Sequence, residues 1–144
     1  ENLLVRTTAL GIGEEEMDEA LRTVDLVNTG KKRAGQFSLG MKQRLGIAAA
    51  LIGHPGFLIL DEPTNGLDPF GIQELRQLIR SFPEKGITVL VSSHILGEVE
   101  QVADHIGILS NGILGYQGGM PPKGHLEEMF MKVAEKCRRG GIPA

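Results

Sequence analysis

Two short runs constrain this chain more than anything else in it. Phe57-Leu58-Ile59-Leu60 and Ile87-Thr88-Val89-Leu90-Val91 are apolar or β-branched at every position. A strand with one wet face alternates apolar and polar residues. A short unbroken run reads instead as a strand buried on both faces of a parallel sheet. The first run stops at Asp61-Glu62-Pro63 and the second at Ser92-Ser93-His94. In such sheets the carboxyl ends of the strands are where ligands bind.

Helical patterns precede and separate the two runs. Residues 14–28 carry Met17, Ala20, Leu21, Val24 and Val27 at helical spacing, behind Glu14, Glu15 and Glu16, which suit the positive end of a helix dipole. Residues 2–10 are a weaker helix candidate, and 29–36 form a basic, glycine-bounded loop. Ser38 is an N-cap for a helix from about Gly40 to Ile52. Asp68-Pro69 starts another that runs to about Phe82, with Asp as cap and Pro at the first position. A helix near 95–103, a hairpin around Asn111-Gly112 and a last helix over roughly 124–137 complete the pattern. Helices followed by strand–helix–strand–helix–strand predict an α/β domain with a mainly parallel sheet behind a helical subdomain. The boundary falls at 55/56, giving a helical part over 1–55 and a sheet-based part over 56–144.

Composition excludes several classes. Net charge is −3, so the chain carries no basic footprint for nucleic acid. Cys137 is the only cysteine, which rules out a disulfide framework and a multi-cysteine zinc site and suits a reducing, cytosolic setting. The most apolar stretch, Leu45 to Leu60, is broken by His54, Pro55 and glycines, so it is no bilayer-length span. The opening Glu1-Asn2-Leu3-Leu4 has neither an initiator Met nor a basic-apolar leader, and a piece of a longer chain is expected.

Four segments carry chemistry. Asp61-Glu62 places two carboxylates at a strand mouth. One suits Mg²⁺, commonly through water, and the next can polarise an attacking water. Ser38 and Gly40 open a helix whose free N–H groups favour a phosphate. His94 follows the second strand. If the strands are neighbours, His94 lies beside Glu62, where it can donate to a γ-phosphate and orient the carboxylate. Asn65-Gly66-Leu67-Asp68-Pro69 is a helix start that can also face a partner subunit. Taken singly, the helix cap and the lone histidine have plain structural explanations.

Taken together, Phe37-Ser38-Leu39-Gly40-Met41-Lys42-Gln43-Arg44, Asp61-Glu62, Gly66-Leu67-Asp68 and His94 resemble the ABC ATPase family. The resemblance implies a P-loop NTPase (RecA-like) fold and assigns the signature to Ser38, Leu39, Gly40 and Met41. It makes Asp61 the Walker B metal residue, Glu62 and His94 catalytic, and Asp68 part of a D-loop that contacts nucleotide across the dimer. Leu39 stands where the family's usual Leu-Ser-Gly-Gly-Gln has glycine, and Met41 where it has glutamine. That form is similar to exporters of bacitracin- and lantibiotic-type peptide antibiotics.

The implied function is an ATP-binding and ATP-hydrolysing subunit of an ABC transporter, with ATP and Mg²⁺ as cofactors. The implied partners are a second ATP-binding subunit, head to tail, and a transmembrane permease, at the cytoplasmic face of a bacterial membrane. A soluble ABC ATPase acting on DNA or ribosomes, or a non-catalytic interaction piece, are the alternatives. The chain has no Gly-x-x-x-x-Gly-Lys-[Ser/Thr], and Gly30-Lys31 is followed by Lys32. The Walker A loop and its strand are absent, as is the glutamine loop, so these 144 residues are expected to turn over no ATP by themselves.

Overall fold

A computed structural model describes residues 3, 8, 11, 13–29 and 32–139. Most of the helix expected over 2–10 lies outside them, as do residues 30 and 31 of the basic loop. Contacts divide the chain into two units, Glu1–Ser92 and Ser93–Ala144.

The first unit begins with helix α1 (Glu14–Thr23). It ends earlier than the periodicity predicts. Asp25 takes a left-handed backbone (φ 55°), and the chain resumes as a 3₁₀ turn over Val27–Thr29. Val24 is buried, whereas Val27 is half exposed, so the apolar stripe stops where the helix does. Helix α2 (Leu39–Leu51) buries Ile47, Ala48 and Leu51 and packs against α1. Strand β1 (Phe57–Asp61) follows, then α3 (Pro69–Ser81) and β2 (Thr88–Ser92). Gly86, at φ 74°, ends the 3₁₀ turn after α3, a conformation that costs glycine nothing.

β1 and β2 pair in parallel, from Phe57 opposite Thr88 to Asp61 opposite Ser92. The expectation of burial on both faces needs correction. Side chains alternate across a sheet. Leu58 and Leu60 are buried, but Phe57, Ile59 and Leu90 on the other face are 54%, 65% and 55% exposed. Apolarity on both faces shows only that two layers would be favourable. Among the described residues, one layer is supplied.

The second unit holds helix α4 (Leu96–Val102), strand β3 (His105–Ser110), strand β4 (Ile113–Gly119) and helix α5 (Leu126–Arg138). β3 and β4 form an antiparallel hairpin of their own, turned at Asn111-Gly112 with positive φ at both residues, as a two-residue hairpin turn requires. Ile106, Ile108 and Leu126 are its core, with Val99, Tyr116 and Phe130 packed around them. The fold is thus α/β, with one small parallel sheet and a separate hairpin. Among the described residues, no helix is long and apolar enough to cross a membrane.

Candidate functional site

The carboxylates stand where the sequence puts them. Asp61 is the last residue of β1, and Glu62 is the first beyond it. Because β1 and β2 are parallel and in register, both strands end at one sheet edge, so the acidic pair lies beside Ser92. The Ser92 hydroxyl donates to Asp61 Oδ1. It also accepts the Glu62 N–H at 3.0 Å, and the Ser92 carbonyl accepts that same N–H at 3.2 Å. Glu62 has φ 45°, left-handed for a residue with a Cβ. Such a backbone costs about 1–3 kcal/mol and persists only where its surroundings impose it, often at functional sites. Here the two bonds that its N–H donates to Ser92 help impose it.

The loop after Glu62 is a chain of turns. Asn65 N–H bonds the Glu62 carbonyl at 3.1 Å, and Leu67 N–H bonds that of Thr64, which is buried, at 3.2 Å. Asp68 Oδ1 accepts the Gly71 N–H at 2.7 Å and Pro69 opens α3, so the cap reads as the sequence expects.

Ser38 caps α2, its Oγ accepting the Met41 N–H at 3.2 Å. The first helical N–H groups, from Leu39 and Gly40, have no preceding turn to bond, which leaves two donors and the positive end of the helix dipole beside the cap. A Cβ on Gly66 (φ 76°) would stand 3.0 Å from Leu39 Cδ2, and one on Gly40 would stand 3.8 Å from Leu67 Cδ2. The start of α2 therefore packs onto the Gly66-Leu67 loop. Gln43 Nε2 donates to the Pro63 carbonyl at 2.6 Å, and Arg44 pairs with Glu74 of α3. Ser38–Met41, Asp61, Glu62 and Asp68 thus belong to one tied unit.

His94 lies two residues past β2, at the start of the second unit, and is exposed. Ser93 Oγ accepts the Ile95 N–H at 3.1 Å, closing a short side-chain turn around it.

Asp61, Glu62 and Ser92 offer only oxygen donors, the set a hard cation such as Mg²⁺ takes. Sequence reading named Ser92 merely as a strand end and passed over Gln43. Pairing the two apolar runs residue by residue brings Ser92 opposite Asp61. No sequence signal marks the Gln43 bond.

Comparison with known proteins bears on the family. The model described as "AAA domain, putative AbiEii toxin, Type IV TA system" matches residues 14–100. The lantibiotic transport ATP-binding protein SrtF of Streptococcus pyogenes is 52% identical over 130 residues, covering 90% of this chain and 57% of that one. The bacitracin transport ATP-binding protein BcrA of Bacillus licheniformis is 56% identical over 116 residues, 79% of this chain and 38% of its own. The chain therefore spans about half the length of these relatives. A solved ATP-binding subunit of an ABC transporter superposes with TM-score 0.74 at 30% identity, over 91% of this chain and 60% of that chain. On these findings the chain belongs to the AAA-type ATPase domain family, and over about half of their length it is similar to the ATP-binding subunits of ABC transporters.

Proposed function

We propose that this chain is the signature- and Walker B-bearing portion of an ATPase subunit that drives an exporter, with a peptide antibiotic as cargo. Residues 1–55 then act as the helical subdomain and 56–144 as the later part of the ATPase core. The observation that carries the reading is the sheet edge. Asp61 ends β1 and Glu62 follows it, β2 ends beside them at Ser92, and a capped helix start is tied to the same loop.

In this reading Asp61 holds a hydrated cation. Glu62 accepts a proton from the attacking water, and a half-buried carboxylate just past the end of β1 is placed for that. His94 donates toward the γ-phosphate. Ser38 and the N–H groups of Leu39 and Gly40 receive the phosphates of a nucleotide held chiefly by a second subunit, with Leu39, Met41 and Asp68 lining the contact. Mg²⁺, when bound, neutralises charge that builds on the phosphate oxygens. Pairing with a second subunit and a permease would place the protein at the cytoplasmic face of the membrane.

One experiment separates the parts of this proposal. The 144-residue chain alone is expected to show negligible Mg-ATP turnover, because no Walker A lysine is present. Turnover by this chain that vanishes on Glu62→Gln refutes that. A complete subunit reconstituted with a permease is expected to couple ATP hydrolysis to peptide export, and hydrolysis without export contradicts the transporter reading.

A further inference from the structure

The end of β1 is held by a residue on another strand. Ser92 engages both acidic positions at once, donating its hydroxyl proton to Asp61 Oδ1 and accepting the Glu62 N–H at 3.0 Å. A hydroxyl has one proton and two lone pairs, so both bonds coexist without competition. The strand register puts Ser92 directly opposite Asp61, and its own carbonyl reinforces the hold on Glu62. Ser92 is exposed, so it contributes no apolar packing that would by itself explain a hydroxyl there.

From this geometry we propose that Ser92 is a positioning residue for ATP hydrolysis, acting through Asp61 and Glu62 together. The inference rests on the function proposed above. With Oδ1 engaged by Ser92, the Asp61 carboxylate is fixed in rotation, and Oδ2 is the oxygen left to face a hydrated cation. With its N–H held, Glu62 keeps the left-handed backbone (φ 45°) that sets the direction in which its side chain leaves the strand. One hydroxyl thereby orients the cation-binding carboxylate and the proton-accepting one. Such supporting hydrogen bonds tune both metal affinity and rate.

The test uses the complete ATP-binding subunit that carries this chain, with Ser92→Ala, Ser92→Cys and Ser92→Thr. The probe ion is Mn²⁺, titrated by electron paramagnetic resonance in the presence of ATP. Removing the hydroxyl in Ser92→Ala is expected to weaken Mn²⁺ binding and lower kcat, each by about 10-fold or more. ATP affinity measured in EDTA should stay within about twofold, because only the metal and the transition state are affected. Ser92→Cys keeps the volume with a poor hydrogen-bonding group and should lose as much, which guards against a folding defect in the alanine variant. Ser92→Thr keeps the hydroxyl on a strand-compatible side chain and should recover most of both losses.

Mn²⁺ affinity and kcat unchanged in both Ser92→Ala and Ser92→Cys overturn the proposal, and so does Ser92→Thr as impaired as Ser92→Ala. An unsubstituted subunit that neither binds Mn-ATP nor hydrolyses it overturns the function reading and this inference together. An active subunit indifferent to Ser92→Ala overturns this inference alone.

Discussion

The β1–β2 sheet and the β3–β4 hairpin are both two-stranded, yet their uncovered faces differ. β3 alternates over most of its length, with Ile106 and Ile108 buried and His105 and Gly107 exposed, and its exposed apolar residue, Leu109, pairs with exposed Leu114 of β4 only at the turn end. One helix layer, α5, is nearly enough for it. β1 is apolar at every position before Asp61, and its outward side chains are Phe57 and Ile59, with Leu90 beside them on β2. The sheet that carries the acidic pair is thus the one whose sequence asks for a second layer. The hairpin, which carries none of the proposed site residues, asks for one layer along most of its length and leaves only Leu109 and Leu114 open at its turn end.

Stability measurements can break that comparison. Leu58→Ala on the covered face of β1 and Ile108→Ala in the hairpin should each cost about 2–5 kcal/mol, read by chemical denaturation, because both side chains are buried. Ile59→Ala, one residue from Leu58, should cost only about 0.5 kcal/mol or less. An Ile59→Ala loss as large as that of Leu58→Ala would mean that the open face is covered in solution.

A smaller effect probes the tie between the start of α2 and the loop after β1. Gly66→Ala forces an L side chain into φ 76° and against Leu39 Cδ2, and should cost about 1–2 kcal/mol. Adding Leu39→Ala should recover the steric part of that loss and leave the backbone part. A strictly additive double mutant would show that the two residues are not in contact. Loss of a cap comes next. Asp68→Ala should destabilise by about 1 kcal/mol, as the Gly71 N–H loses its acceptor.

The smallest effect lies in the hairpin unit. The Lys132 ammonium, by hydrogen bond and by charge, holds the Glu128 carboxyl below the ordinary carboxylate range, with a lesser contribution from His125. A lowered carboxyl favours the folded state above the ordinary Glu range, and that help fades as pH falls through the depressed value. Lys132→Met should return Glu128 toward its ordinary titration by NMR and soften the acid dependence of α5. A Glu128 titration unmoved by the substitution would remove Lys132 as the cause.

How much of this was legible in sequence follows from the range of each interaction. The caps at Ser38 and Asp68 and the Asn111-Gly112 turn are set within three residues, and all stand as the pattern predicts. The carboxylate edge was legible because each strand runs only one residue past its apolar run, to Asp61 and to Ser92. The end of α1 was not. Val24 and Val27 keep the helical spacing while Asp25 turns the backbone left-handed, and periodicity does not register a single φ. Burial on both faces of β1 was misread because hydrophobicity says what a face would favour, not what lies against it. Ser92 and Gln43 act across 30 and 20 residues of sequence, through strand register and tertiary packing, and local patterns carry no information at that range.

The central claim is that Glu62 works on nucleotide at this sheet edge. Its most direct test is ATP binding and turnover by the complete subunit with Glu62→Gln. The account predicts ATP affinity close to that of the unsubstituted protein and turnover reduced by about 100-fold or more, the loss of a proton-accepting group. Turnover that survives the substitution at an undiminished rate would contradict it.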